Sequence, residues 1–173
     1  MYYPPLSKTD ARVEDVRAGA HSDYGSITLL FRLKGQAGLE INTQQGDWAP
    51  VPVSPPGTDN DPAPPILVNI GDLLSYWTNG LLRSTVHRVV FPMPGIDMVK
   101  GETDSEDRYS IAFFCHPVDT MPLTAVPSDR VKKIAKSSDV TPDSKVITAA
   151  EHLQMRLRST YLQLYECKDK DEE

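Results

Sequence analysis

The sequence predicts a mainly β domain that ends in one amphipathic helix. Its 173 residues include 15 prolines and 10 glycines, a ratio more typical of short strands joined by turns than of a helical bundle. Runs rich in Ile, Val, Thr, Leu and aromatic residues alternate with polar segments as far as residue 117. A clear helical spacing of apolar residues occurs near the C-terminus, in residues 148–165.

The first half of the chain predicts four strands. Tyr2–Tyr3 is typical of a strand end, and residues 26–31 combine Ile, Thr, Leu and Phe, which favour strands. Residues 38–42 and 48–53 flank a polar turn and predict a hairpin. Five prolines then indicate that residues 54–65 form an exposed loop.

Four further strands are predicted in the second half. Residues 66–70 form an apolar run that predicts a buried strand, and residues 73–77 and 84–91 flank an Asn-Gly turn. After a polar loop at 92–107, the strand at 109–114 ends before a His-Pro pair. Five aromatic residues are expected in the core, namely Trp48, Trp77, Phe91, Phe113 and Phe114.

The C-terminal part has a different character. Residues 128–143 are polar and flanked by proline, and no regular structure is predicted for them. Thr148 and Glu151 have the spacing of a capping box at the start of the helix predicted over 148–165. The apolar stripe of this helix consists of Leu153, Leu157, Tyr161 and Leu164.

Charge and hydropathy exclude two classes of function. With 18 Lys and Arg against 24 Asp and Glu, the net charge of −6 is unlike that of a nucleic-acid-binding protein, which needs a basic face. The longest apolar runs, 27–31 and 111–115, are too short to cross a bilayer, so no membrane association is expected. Cys115 and Cys167 cannot form a disulfide framework, which indicates a reduced, cytoplasmic protein.

Three residues are candidate metal ligands. His21 and Asp23 are two residues apart, and in an extended segment side chains at that spacing point to the same side. His87 lies within the predicted strand at 84–91. Taken alone, a His-x-Asp triplet is weak, and a histidine between valines is more often a core residue. Together they supply two imidazoles and one carboxylate, the ligand set of non-haem Fe(II) oxygenases.

Arg108 and Ser110 form a second pair on one face of a strand. An arginine supplies a planar fork of donors suited to a carboxylate, and a serine hydroxyl adds a donor beside it. An isolated pair of this kind is more often part of a surface ion pair. Beside a metal site, it is suited to hold the distal carboxylate of a cosubstrate. A hydrolytic zinc site is the competing interpretation, because two histidines and a carboxylate also bind Zn²⁺, but it leaves this pair without a role.

Several longer motifs extend these patterns. They are His21-Ser-Asp-Tyr-Gly-Ser-Ile-Thr-Leu-Leu, Asn69-Ile-Gly-Asp-Leu-Leu, Trp77-Thr-Asn-Gly, Ser84-Thr-Val-His-Arg-Val and Asp107-Arg-Tyr-Ser-Ile-Ala-Phe-Phe. Because these motifs occur in this order, the chain resembles the 2-oxoglutarate- and Fe(II)-dependent dioxygenases. The resemblance extends from residue 2 to about residue 117. The most similar subgroup is the isopenicillin N synthase-like one, which includes many oxidases of secondary metabolism.

The resemblance implies a double-stranded β-helix, or jelly roll, for residues 1–120, with a C-terminal extension at 121–173. It implies that His21, Asp23 and His87 bind Fe(II). It also implies that Arg108, Ser110 and Tyr3 bind 2-oxoglutarate, and that no residue beyond the metal ligands is catalytic. The expected reaction is hydroxylation, desaturation or ring closure of a small organic molecule by O₂, with release of succinate and CO₂.

Members of this family are about twice as long, and here the N-terminal half is expected to be missing. Two alternatives therefore stay open. One is a truncated, catalytically weak fragment that binds metal and 2-oxoglutarate, and the other is an oxidase that uses no cosubstrate. The surface left by the missing half is also expected to favour a homo-oligomer.

Overall fold

In the part of the chain that the structure describes, the fold is a jelly roll of two four-stranded sheets with three helices. The computed structural model describes residues 1–3, 16–58, 60–91, 107–135 and 146–161. The elements are β1 (Tyr2–Tyr3), β2 (Val16–His21), β3 (Ile27–Arg32), β4 (Leu39–Asn42), β5 (Trp48–Pro50), β6 (Leu67–Ile70), α1 (Asp72–Trp77), β7 (His87–Val90), β8 (Arg108–Cys115), α2 (Asp129–Ala135) and α3 (Ala149–Thr160).

The chain divides into two units. The first contains residues 1–22, 28–69 and 85–114, and the second contains residues 23–27, 70–84 and 115–173. The predicted loop at 92–107 and the end of the predicted helix at 162–165 fall almost wholly outside the described residues.

Both sheets belong to the first unit, apart from the strand-end residues Ile27, Ile70 and Cys115. Their strand orders are β1-β8-β3-β6 and β2-β7-β4-β5, so most successive strands of the chain alternate between the sheets. In the second sheet, β4 pairs antiparallel with both β5 and β7. The predicted β4–β5 hairpin is confirmed, with Gly46 at a φ of 92° in its turn, a conformation that favours glycine.

The second unit is built on its helices. Leu73 on α1 is fully buried against Leu123 and against Ala149 at the start of α3. The predicted capping box is confirmed, because the Thr148 hydroxyl accepts from the Glu151 amide and the Glu151 carboxylate accepts from the Thr148 amide. These contacts fix the position where α3 begins.

Three predictions for the helices are corrected. The strand predicted at 73–77 is helix α1, because short apolar runs do not distinguish a strand from a buried helix. Helix α2 was not predicted from its polar sequence. In α3 the buried residues are Ala149 and His152, whereas Tyr161, a residue of the predicted stripe, is 47% exposed. The last residue of that stripe, Leu164, lies outside the described part of the chain.

Two predictions for the strands are also corrected. The strand at 66–70 was expected to be buried, but Val68 is 56% exposed. Phe113 and Phe114, expected in the core, are 59% and 58% exposed. In β8 the buried residues are Arg108 and Ser110, and the alternation of a strand then directs Phe113 to the outer face of the sheet.

Within the described residues, no helix is both long enough and apolar enough to cross a membrane.

Candidate metal centre

His21 and His87 face each other across two paired strands. His21 is the last residue of β2, His87 is the first residue of β7, and the two are register partners. Their ring centroids are 4.4 Å apart with an interplanar angle of 55°. The sheet pairing therefore brings together two imidazoles that are 66 residues apart in the sequence.

Each imidazole also contacts a nearby backbone carbonyl. The Nδ1 atom of His21 lies 2.7 Å from the Gly19 carbonyl oxygen, and Nδ1 of His87 lies 3.1 Å from that of Thr85. Because a carbonyl oxygen only accepts, these contacts require the proton on Nδ1. In this tautomer Nε2 is the ring nitrogen that can bind a metal, an arrangement common among metal-binding histidines.

Asp23 completes the cluster. It is 8% exposed, and one ligand atom from each of His21, Asp23 and His87 lies within 4.8 Å of the other two. Two imidazoles and one carboxylate fit a divalent transition metal. As a set of three protein ligands they leave coordination positions for other molecules, as in the non-haem Fe(II) oxygenases.

The segment that carries Asp23 is held by the start of helix α1. The Asp72 amide donates to the Asp23 carbonyl oxygen at 2.7 Å, and the Gly71 amide donates to that of Ser26 at 2.8 Å. Amides in the first turn of a helix have no partner within the helix, and here the carbonyls of residues 23–26 accept from them. The backbone of the metal-ligand segment is thereby fixed.

Gly71 makes this close approach possible. A Cβ atom at Gly71 would overlap the Gly25 carbonyl oxygen and would lie 3.0 Å from the Asp23 carbonyl oxygen. Only glycine fits without displacing the segment. The motif Asn69-Ile-Gly-Asp therefore has a structural role in holding the segment of a candidate metal ligand, a role that the sequence alone did not predict.

The residues predicted to bind a cosubstrate lie on the first sheet. Arg108 is 3% exposed, and Ser110 is 5% exposed on the same face of β8. Tyr3 on β1 is the register partner of Arg108, and the guanidinium lies 5.2 Å from the centroid of the Tyr3 ring. The predicted alternation along β8 therefore places Arg108 and Ser110 inward together.

Arg108 has an unused hydrogen-bond donor. Its Nε donates to the Ala37 carbonyl oxygen at 3.0 Å, while its buried Nη1 has no hydrogen-bond partner among the described residues. Burial lowers the pKa of Arg108, and so does the positive charge of Arg17 and Arg32, although the group stays charged at neutral pH. A buried cation with a free donor is suited to bind an anion.

The comparisons with known proteins agree with this geometry. Residues 1–117 match the sequence model of the 2OG-Fe(II) oxygenase superfamily. The chain belongs to this superfamily. It is 38% identical over 156 residues to a UPF0676 protein of Schizosaccharomyces pombe, with 88% of this chain and 40% of that protein aligned. It is 33% identical over 162 residues to the proline hydroxylase buaE of Petromyces alliaceus, in an alignment that covers 92% of this chain and 45% of buaE.

A solved structure shows the same fold. A full-length Neurospora crassa protein in complex with alpha-KG and thymine matches with a TM-score of 0.67 and 33% sequence identity. The match covers 92% of this chain and 43% of the Neurospora crassa protein. The 2OG-Fe(II) oxygenase chain described here thus spans less than half the length of the relatives it matches.

Proposed function

We propose that this chain carries the metal and cosubstrate sites of an Fe(II)- and 2-oxoglutarate-dependent oxygenase that oxidises a small organic molecule. His21, Asp23 and His87 hold the Fe(II) ion. The observation that carries the proposal is the convergence of these three side chains, whose ligand atoms all lie within 4.8 Å of one another. Residues 1–120 form the catalytic core in this proposal, and the protein is cytoplasmic.

Arg108 and Ser110 bind the distal carboxylate of 2-oxoglutarate. The free Nη1 of Arg108 and the inward hydroxyl of Ser110 supply adjacent donors in a buried setting, where a charge-assisted hydrogen bond is strong. Tyr3 lies against the guanidinium and limits the positions that it can adopt. These contacts orient the cosubstrate before any reaction.

The bound metal and cosubstrate supply the oxidising chemistry, in which O₂, 2-oxoglutarate and substrate yield hydroxylated product, succinate and CO₂. Desaturation and ring closure are variants of the same oxidation. The protein's own groups bind, orient and exclude water, and none of them has to be a strong nucleophile or base. Among the relatives, one is named a proline hydroxylase and another was solved with thymine, which supports a small polar substrate.

An anaerobic titration tests this proposal. Protein loaded with Fe(II) is titrated with 2-oxoglutarate while the visible metal-to-ligand charge-transfer band is recorded. We expect a band in the wild type, no band in His21→Ala, and a weaker band at equal cosubstrate concentration in Arg108→Ala. A folded, iron-bound wild type with no band would contradict the assignment and favour the oxidase that uses no cosubstrate.

If Arg108 and Ser110 bind the distal carboxylate, their substitution should weaken 2-oxoglutarate binding without weakening metal binding. Arg108→Ala is expected to weaken 2-oxoglutarate binding by at least about thirtyfold, because it removes a buried charged partner. Ser110→Ala should weaken it about fivefold, the value of one hydrogen bond. Metal affinity should change little in either variant, and the exposed Arg130→Ala serves as the matched control. Equal losses of metal and cosubstrate binding would count against the assignment.

The chain aligns with less than half the length of its relatives, which supports a second candidate function. In this candidate the chain is a fragment that binds the metal and 2-oxoglutarate but oxidises substrate slowly. It spans 40% and 45% of two relatives. The titration and a turnover assay distinguish the two candidates. Ligand binding without succinate formation in the presence of candidate substrates would favour the fragment.

We also propose that the chain self-associates through the outer face of the first sheet. Tyr109, Ile111 and Phe113 on β8 are 45%, 69% and 59% exposed and form an apolar row. Ile111→Lys is expected to shift the protein from dimer to monomer in light-scattering measurements. Val118→Lys changes another exposed apolar residue and should leave the dimer intact. A monomeric wild type at micromolar concentration would disprove this proposal.

A further inference from the structure

A second buried arginine lies on the strand next to the one that carries Arg108 and Ser110. Arg32, the last residue of β3, is 7% exposed. Strand β3 is the neighbour of β8 in the first sheet, and Thr28 and Arg32 are the buried residues of β3. On β8 Arg108 and Ser110 are the buried residues, and the charge of Arg32 acts on Arg108. Two guanidinium groups therefore occupy the buried face of adjacent strands.

The hydrogen bonds of Arg32 are few and long. Its Nη1 lies 3.3 Å from the Val51 carbonyl oxygen, and its Nη2 lies 3.5 Å from that of Val53. Its Nε is buried and has no hydrogen-bond partner within the described ranges, as is true of Nη1 of Arg108. No carboxylate among the described residues forms an ion pair with either arginine.

This arrangement leaves positive charge uncompensated. An arginine does not deprotonate in a protein, and a buried cation without a counter-charge is unfavourable. Burial is the main cause that lowers the pKa of Arg32, and burial followed by the charges of Arg17 and Arg32 lowers that of Arg108. A bound anion would relieve both the burial cost and the repulsion between the arginines.

We propose that Arg32 is a second cationic residue of the 2-oxoglutarate site, which adds to Arg108 and favours a cosubstrate with two carboxylates over one with a single carboxylate. This inference rests on the proposed function. It assigns a role to a residue that the sequence motifs do not single out. Arg32 acts through its charge and through the free Nε donor, while Arg108 remains the principal ligand of the distal carboxylate.

Calorimetric titration of the Mn(II)-loaded protein tests the inference with two probes. They are 2-oxoglutarate and 2-oxobutyrate, which lacks the distal carboxylate. Arg32→Met, which is similar in length and uncharged, is expected to weaken 2-oxoglutarate binding about tenfold. It should leave 2-oxobutyrate and Mn(II) binding within about twofold. Arg32→Lys keeps the charge and should bind 2-oxoglutarate within about threefold of the wild type.

The Tm of the metal-free protein distinguishes the proposed role of Arg32 from a purely structural one. If Arg32 served only to stabilise the fold, Arg32→Met would have a lower Tm than the wild type. Because Arg32→Met removes a buried, uncompensated charge, its Tm should equal or exceed that of the wild type. A lower Tm, or a variant that does not fold, would show that Arg32 stabilises the fold and would overturn the inference.

Two further outcomes separate this inference from the proposed function. If Arg108→Ala weakens 2-oxoglutarate binding and Arg32→Met does not, the inference is wrong while the proposed function stands. If the wild type binds Mn(II) but neither probe, the proposed function itself fails. Equal weakening of both probes in Arg32→Met would also overturn the inference, because the distal carboxylate would then not be the group that Arg32 recognises.

Discussion

Replacing His87 with alanine is expected to lower the affinity for Fe(II) by more than about a hundredfold. The loss of a residue that only orients a metal ligand already costs roughly 10- to 100-fold in affinity, so the loss of a ligand should cost at least that. In this chain His87 supplies one of the two imidazoles of the cluster, and its Nδ1 contacts the Thr85 carbonyl oxygen at 3.1 Å. Anaerobic equilibrium titration with Fe(II) measures the change.

His116→Ala is the matched control for this prediction. His116 is exposed and is not part of the three-residue cluster, and its Nδ1 lies 2.9 Å from the Pro117 carbonyl oxygen. We expect wild-type metal affinity and a wild-type rise in Tm on addition of Fe(II), since ligand binding stabilises the folded state. If His87→Ala and His116→Ala bound Fe(II) equally well, the three-residue site would be wrong.

Gly71→Ala is expected to lower both the stability of the protein and its affinity for metal, although Gly71 is not a ligand. The added Cβ overlaps the Gly25 carbonyl oxygen, so α1 or the segment at 23–26 has to move. Overpacking of this kind costs about 3 kcal/mol of unfolding free energy. Because the Asp72 amide holds the Asp23 carbonyl at 2.7 Å, a shift in this contact displaces a metal ligand.

The control for stability is Gly19→Ala, since a Cβ at Gly19 meets nothing within 4 Å. Chemical denaturation gives the unfolding free energy of each variant, and Fe(II) titration of the folded protein gives the metal affinity. We expect the control to match the wild type within about 0.5 kcal/mol. A Gly71→Ala variant that matched this control in stability and the wild type in metal affinity would show that the contact between α1 and the ligand segment is not needed.

The candidate site was largely predictable because its spacing rules are local. Side chains two residues apart on an extended segment share a face, and this rule placed Arg108 and Ser110 inward together on β8. The same rule predicts that Asp23 lies close to His21, and their ligand atoms are within 4.8 Å of each other. The partnership of His21 with His87 needed the family's motif order, because no local rule joins residues on different strands.

The elements that sequence reasoning missed depend on contacts between distant residues. The apolar run at 73–77 predicts a strand, yet these residues form α1 because the carbonyls of residues 23–26 accept from the first amides of that helix. Phe113 was expected to be a core residue, yet it lies on the outer face of its sheet. The sequence does hold a signal for Arg32. It lies four residues after Thr28, so strand alternation places both side chains on the same face of β3, where both are buried.

The sequence by itself determined that this chain is mainly β, which residues are the candidates for binding a metal and a carboxylate, and where the last helix begins. Those features follow from periodicity, capping and motif order, which act over a few residues. Only the tertiary structure decided the register that pairs His21 with His87, the close approach at Gly71 and the burial of Arg32 beside β8. These depend on strand pairing and packing between residues far apart in the chain, whose energies are not encoded in any short segment.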